Sequence, residues 1–247
     1  MKVALITGSG RKRIGNVVAW DLARAGYAIA LHYHRSRQDA EETVQGMADE
    51  GLTAASFAAD VADEQDVDRM TDDVLERFGR IDALITTASI WDTKPLEQVT
   101  ADDMRRNFDV NTLGTFLCAR RAGLAMVDQP EGGSIVTFGD WAISRPYVDH
   151  IAYFAAKGAI PTLTRALAVE LAARNPRVRV NCIHPGPVMF PPGMTEDEQQ
   201  SLVEATLVKR ADDPASVSQA VRFFIESPMV TGVCLPVDGG RTIYAPE

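Results

Sequence analysis

The sequence predicts an α/β fold, a doubly wound parallel sheet of about seven strands flanked by helices. Three observations carry this expectation. Short apolar runs alternate with helical segments along the whole chain. A glycine-rich turn, Gly8-Ser9-Gly10, joins the first apolar run to the first helical one. The chain has 247 residues, which suits one α/β domain over 1–247 better than two.

In chain order, Lys2 to Thr7 is an apolar strand closed by Gly8, and Ile14 to Ala25 has helical apolar spacing ending at Gly26. Tyr27 to Tyr33 reads as the second strand, Asp39 to Glu50 as a polar helix, and Thr53 to Ala58 as the third strand. A helix from Glu64 to Phe78, a strand from Ala83 to Thr86 and a long helix from Ala101 to Met126 follow. The fifth strand is Ser134 to Phe138, then one helix from Ile151 to Arg174 and a sixth strand from Val178 to Ile183. Thr195 to Val208 and Pro214 to Glu226 are helical, and Val233 to Val237 is a seventh strand. Strands separated by helices pair in parallel through right-handed crossovers, which makes this a single Rossmann-type domain. The Pro- and Gly-rich stretch after the sixth strand opens a candidate substrate loop, about 185–210.

Composition excludes several functions. A net charge of −9 argues against nucleic-acid binding through the bulk field. No apolar run has membrane-spanning length, the N-terminus lacks a signal-peptide pattern, and a cytoplasmic location is expected. Cys118, Cys182 and Cys234 are far apart in sequence, show no metal-ligand spacing, and read as three buried thiols; no metal is expected.

The loop from Thr7 to Gly15 suits a pyrophosphate. Glycines let the backbone approach closely, and the helix behind offers free N–H groups and a positive dipole end. The second strand ends in His32-Tyr33-His34-Arg35-Ser36-Arg37, with no acid where NAD sites place one for the ribose. Arg35 and Ser36 suit a 2′-phosphate, with Arg11, Lys12 or Arg13 in support, so the expected cofactor is NADPH/NADP+. The plainer alternative is a solvated basic turn.

Tyr153 and Lys157, four apart on a helix, share one face. A lysine ammonium there favours phenolate and is expected to bring the tyrosine pKa down. Such a tyrosine delivers a proton as hydride reaches the adjacent carbon.

At these residues the chain resembles the short-chain dehydrogenase/reductases over nearly its whole length. The matching pieces are the Thr7–Gly15 loop, Asp60-Val61, Asn111, Tyr153/Lys157, His184-Pro185-Gly186 and Asp238-Gly239-Gly240. The resemblance implies that Asp60 and Val61 contact adenine, and that Asn111 holds a helix bend and a relay water. It implies that Lys157 binds the nicotinamide ribose as well. Gly8, Arg13, Ile14, Gly15, His34, Ala88, Pro185 and Gly186 complete the implied cofactor contacts. It also implies a homotetramer, with the final helices and strand at one interface and the tail 241–247 near a neighbour's site.

The chain departs from the family at three places. Asp140 replaces the usual serine thirteen residues before the tyrosine, Thr86-Thr87-Ala88-Ser89 replaces Asn-Asn-Ala-Gly, and the glycine loop is one residue longer, with Arg13 where glycine is common. Asp140, Arg13 and the His32–Ser36 stretch resemble the pteridine reductase subgroup, as does Trp91 two residues after Ser89. That likeness implies a pterin stacked on Trp91, hydrogen-bonded by Ser89, Asp140 and Tyr153, and reduced at a C=N bond by a neutral Tyr153. Asp140 as a turn cap and Trp91 as a core or interface aromatic are the plainer readings. Tyr147 and Met189 are further pocket candidates, and His150, with no evident partner, reads as structural.

Three functions stay open: a pterin reductase, an NADPH-dependent carbonyl or imine reductase on another small molecule, and a cofactor-sensing protein without turnover. Loss of the tyrosine or lysine would mark the last, and both are present.

Overall fold

Seven parallel strands lie in the order β3-β2-β1-β4-β5-β6-β7. They are β1 Val3–Thr7, β2 Ala28–Tyr33, β3 Ala54–Ala58, β4 Ala83–Thr86, β5 Gly133–Phe138, β6 Val178–Pro185 and β7 Cys234–Val237. This is a computed structural model, and it describes residues 1–190, 193–211 and 213–244. The tail 245–247 and residues 191 and 192 of the expected substrate loop lie outside the described residues.

The strands are near-continuous apolar runs because both sheet faces are covered. Val3 and Leu5 of β1 enter one core, while Ala4 and Ile6 enter the other. The first core is closed by α3 (Glu64–Phe78), α5 (Gly114–Val127) and α7 (Ile160–Ala172), through residues such as Val67, Leu117 and Leu167. The second is closed by α1 (Ile14–Arg24), α2 (Arg37–Asp49) and α9 (Pro214–Glu226), through Leu22, Met47 and Phe224. Strand order reverses between β1 and β4, and the crevice at that switch point is where open parallel sheets bind ligands. Thr7 and Thr86, register partners at the carboxyl ends of these strands, stand at its floor.

The two long helices predicted from sequence are each divided. The first is α4 (Ala101–Phe108), a π-helical turn over Asp109–Leu113, and α5. Such bulges cannot be read from apolar spacing, which they shift by a single residue. The second stops at Gly158 as α6 (Ile151–Gly158) and resumes as α7. Pro161 has no N–H to continue the ladder and suits a helix first turn. The third helix that differs, α8 (Glu196–Glu204), is shorter than 195–208 and is started by a Thr195/Glu198 capping box. Among the described residues, no helix is long and apolar enough to cross a membrane.

Candidate active site

A single cavity of about 1230 Å³ runs along the carboxyl ends of the strands, from Arg35 at one end to Trp91 and Met189 at the other. It exceeds the roughly 300–1,000 Å³ of an ordinary small-molecule site, so a dinucleotide and a substrate fit side by side.

The floor at the first end is backbone. Gly8 has φ +68°, and a Cβ there would lie 2.6 Å from Ala88 Cα. A Cβ on Gly15 would come 2.2 Å from Thr87 Oγ1. That hydroxyl donates to Thr7 O at 2.5 Å, and Ala88 N donates to Thr7 Oγ1 at 3.2 Å. Of the two threonines that replace the family's asparagines, Thr87 thus ties the glycine loop to the turn after β4, whereas Thr86 Oγ1 is buried without a hydrogen-bond partner. His32 completes the cradle. Its Nε2–H donates to Ala59 O at 3.1 Å, which leaves Nδ1 to accept from Gly8 N at 2.9 Å. Burial pushes its pKa down to about 4, so the ring is neutral, as that bonding requires. These residues fit a dinucleotide: the cradle is shaped by main chain, and the N-terminus of α1 opens into it.

Past the end of β2, Arg35 and Ser36 line the cavity with Arg11, Arg13, Ile14 and Gly15; Lys12 is not part of the wall. Arg35 is exposed and makes no ion pair among the described residues, whereas Arg11 lies 4.0 Å from Asp39. His34 and Asp60 face each other across the rim at 3.8 Å, with Val61 beside them.

Asp140, Tyr153 and Lys157 meet in the middle of the cavity. Tyr153 Oη donates to Asp140 Oδ2 at 2.7 Å, and Asp140 Oδ1 accepts from Ala142 N at 2.8 Å. With one oxygen Asp140 caps the turn Trp141–Ile143, the plainer of the two sequence readings, and with the other it accepts from the tyrosine. Lys157 Nζ donates to Phe138 O at 2.9 Å and lies 5.9 Å from the Tyr153 ring centre. The expected fall in the tyrosine pKa is not found. Burial first, then the Asp140 charge and hydrogen bond, push Tyr153 well up. Burial also raises Asp140, against the pull of Ala142 N–H, Tyr153 and Lys157, and lowers Lys157. The tyrosine is therefore a neutral phenol here.

Asn111 sits in the π-turn and is completely buried. Its Oδ1 accepts from Ser89 Oγ (2.8 Å) and Ile90 N (2.9 Å), and its Nδ2 donates to Ile90 O (3.1 Å) and Asn107 Oδ1 (3.3 Å). All four hydrogen-bonding positions of the amide are filled, three of them bracing the loop after β4 and the fourth reaching Asn107 on α4.

That loop carries Trp91, which is 46% exposed and lines the cavity. It stacks on His150 at 4.7 Å and 22° between planes. His150 is therefore not partnerless: Nδ1 contacts Val148 O at 2.9 Å and Nε2 contacts Thr93 Oγ1 at 3.0 Å. The other wall holds Tyr147 and Met189, as anticipated. It also holds Arg241, which the sequence reading assigned to a tail near a neighbour's site and not to this cavity, and whose guanidinium lies 4.4 Å over the Trp141 ring. Its only sequence signal was its place after Asp238-Gly239-Gly240. Pro185 and Gly186 close the cavity, and Gly186 N donates to Val237 O at 2.9 Å.

A nucleotide cradle at the β1/β4 switch point and a tyrosine–lysine pair at the end of β5 define a nicotinamide-dependent oxidoreductase of the Rossmann class. A family profile described as Enoyl-(Acyl carrier protein) reductase matches residues 9–242. The chain belongs to the short-chain dehydrogenase/reductase family, whose members use a nicotinamide cofactor on small-molecule substrates. It is 34% identical to versicolorin reductase stcU of Emericella nidulans, covering 97% of this chain and 95% of that one. It is 29% identical to glucose 1-dehydrogenase 2 of Bacillus subtilis, over 98% and 95%. A crystal structure of a short-chain dehydrogenase/reductase from Burkholderia xenovorans superposes with a TM-score of 0.89 at 29% identity, over 99% of both chains.

Proposed function

We propose that this protein is an NADPH-dependent reductase of a flat, pterin-like substrate, acting on a C=N bond of a dihydropterin or dihydrofolate-like compound. The observation that carries the reading is the 2.7 Å bond between Tyr153 and Asp140 in the cavity that Trp91 lines. A carboxylate beside the tyrosine, in place of a serine, keeps the phenol protonated. A half-exposed indole offers a stacking face to a planar heterocycle.

When bound, the reduced nicotinamide supplies hydride to the substrate carbon. Tyr153 delivers its phenolic proton to the adjacent nitrogen, and Asp140 holds the hydrogen-bond partner through which the tyrosine is reprotonated from solvent. Lys157, held by Phe138 O, would bind the nicotinamide ribose. Asn111 is a positioning residue, fixing Ser89 and the Trp91 loop. Gly8, Arg13, Ile14, Gly15, Asp60, Val61, Ala88, Pro185 and Gly186 surround the dinucleotide. Arg35 and Ser36, with His34 beside them, receive the 2′-phosphate that selects NADPH over NADH. From the described part of the loop about 185–210, Pro187, Met189, Met194 and Leu202 line the cavity where the substrate would lie. The enzyme assembles as a homotetramer through its C-terminal elements, where Phe223 (49%), Met229 (93%) and Val233 (41%) are exposed.

The test is oxidation of NADPH with dihydrobiopterin, followed by nicotinamide absorbance, with NADH and Trp91→Ala in parallel. Fast NADPH oxidation, weak use of NADH and a loss with Trp91→Ala support the reading. Activity confined to ketones or cyclic imines sinks the pterin substrate and leaves the second reading, a carbonyl or imine reductase. That second reading draws support from the 34% identical relative, a reductase named for a different substrate.

A further inference from the structure

Beside Asp140, on the face of β6 that Val178 and Val180 turn to the first core, two of the three cysteines meet a histidine. Cys182 and Cys234 are register partners on β6 and β7, and His184 follows two residues along β6 on the same face. The two sulfurs and a ring nitrogen of His184 all lie within 4.8 Å of one another. Cys182 and His184 are buried, and Cys234 is partly exposed, so the expected three buried thiols are two buried and one accessible.

His184 is oriented. Its ring lies over Gly139, where a Cβ would come 3.0 Å from Cε1 and 3.2 Å from each nitrogen. Nδ1–H donates to Asp140 O at 3.0 Å, so in the neutral ring the lone pair is on Nε2. That Nε2 is buried and has no hydrogen-bond partner, in a residue 93% buried by its 7% exposure. An orphaned buried acceptor is costly and calls for a partner. A histidine fixed through one nitrogen to a backbone carbonyl, with the other aimed at two thiols, has the arrangement of a metal-ligating histidine and its outer partner.

We propose that Cys182 Sγ, Cys234 Sγ and His184 Nε2 form a site for one thiophilic divalent cation, Zn²⁺ or Cd²⁺, distinct from the reductase cavity. Two thiolates and an imidazole are a set that soft, tetrahedral metals select. Closing sulfurs and nitrogen onto one ion needs only side-chain rotation and a small approach of β7, an edge strand. Each thiol loses its proton to solvent as its metal–sulfur bond forms. The fourth position is left to water or an outside ligand on the accessible Cys234 side. An occupied site draws on the same chain of bonds that holds Tyr153, through Asp140.

The experiment is a Cd²⁺ titration of the reduced, chelator-treated full chain, read by ultraviolet thiolate-to-cadmium charge transfer, with Zn²⁺ protection of Cys234 against alkylation read by mass spectrometry. The expected result is one Cd²⁺ per chain and slowed alkylation of Cys234. Cys182→Ser, Cys234→Ser and His184→Asn each weaken Cd²⁺ by at least about 100-fold, above the ~10–100-fold that loss of an outer partner costs. Cys118→Ser, on α5 and outside the cluster, binds as the parent does. Absence of both the charge-transfer band and the protection in the parent protein overturns the proposal, whatever the variants' folding. So does equal loss in Cys118→Ser, or an intramolecular Cys182–Cys234 disulfide in a protein that takes up no Cd²⁺.

Discussion

The two ends of the cavity are built by different means. At the glycine-loop end the walls are main chain, braced from behind by hydrogen bonds: Thr87 to Thr7, Ala88 to Thr7, and Gly8 through neutral His32 to Ala59. At the Trp91 end the walls are side chains on loops, with Trp91 and Tyr147 both more than a third exposed and held by ring contacts to His150. A wall of backbone accepts one shape, whereas a wall of aromatic rings repacks. A backbone cradle suits the cofactor class the family shares, and a repacking wall suits relatives with names as different as versicolorin reductase and glucose 1-dehydrogenase. Asp140, Tyr153 and Lys157 stand between the two.

The sharpest break comes at that junction. Tyr153→Phe is expected to lower turnover by about 100- to 10,000-fold while leaving cofactor binding, measured by nicotinamide fluorescence, near the parent value. Loss of binding as well would mean that the tyrosine belongs to the cradle and that the division is misplaced.

Arg35→Ala tests whether the cradle end chooses between cofactors. Removing a charge-assisted partner of a phosphate costs about 1.5–3 kcal/mol, so the ratio of kcat/KM for NADPH over NADH falls about 10- to 100-fold. An unchanged ratio would return the basic stretch to a solvated turn.

The buried histidine of the cradle makes stability depend on pH. His32 has a folded pKa of about 4 against an ordinary 6.5, so the unfolded chain binds more protons between those values. Stability is present above pH 6.5 and is lost as pH falls toward 4, by about 2 kcal/mol between 6.5 and 5. Denaturant titrations at both pH values check this. His32→Gln is less stable throughout, and its curve is flatter over that window.

The smallest effect is expected at the aromatic end. Trp91→Ala removes one stacking face, worth about 0.5–1.5 kcal/mol, and raises KM for dihydrobiopterin roughly 2- to 10-fold with kcat less affected. A collapse of kcat instead would show that Trp91 also holds the Ser89–Asn111 brace in place.

Much of the cradle was legible because its signals are local. Gly8 and Gly15 stand between an apolar run and a helical one, and Arg35 follows the second strand without an acid. Tyr153 and Lys157 are one helical turn apart. The helix breaks at Asp109–Leu113 and Ala159 were not legible, because a π-turn leaves the composition unchanged and Pro161 suits a helix start as well as a stop. The direction of the Tyr153 shift was also misjudged from spacing. Sharing a face with Lys157 shows proximity to a cation, but not how deeply the phenol is buried or that Asp140 is its hydrogen-bond partner.

By itself, then, the sequence determined what periodicity and short spacing can encode: the alternation of strands and helices, the phosphate turn, and the tyrosine–lysine face. Tertiary structure alone decided the contacts between distant stretches of chain. His32 reaches Gly8, Thr87 fills the space behind Gly15, His150 backs Trp91, and Cys182 and His184 meet Cys234 across β6 and β7. Those pairings depend on strand order and register, and register brings together residues about fifty positions apart that carry no mark of each other in the chain.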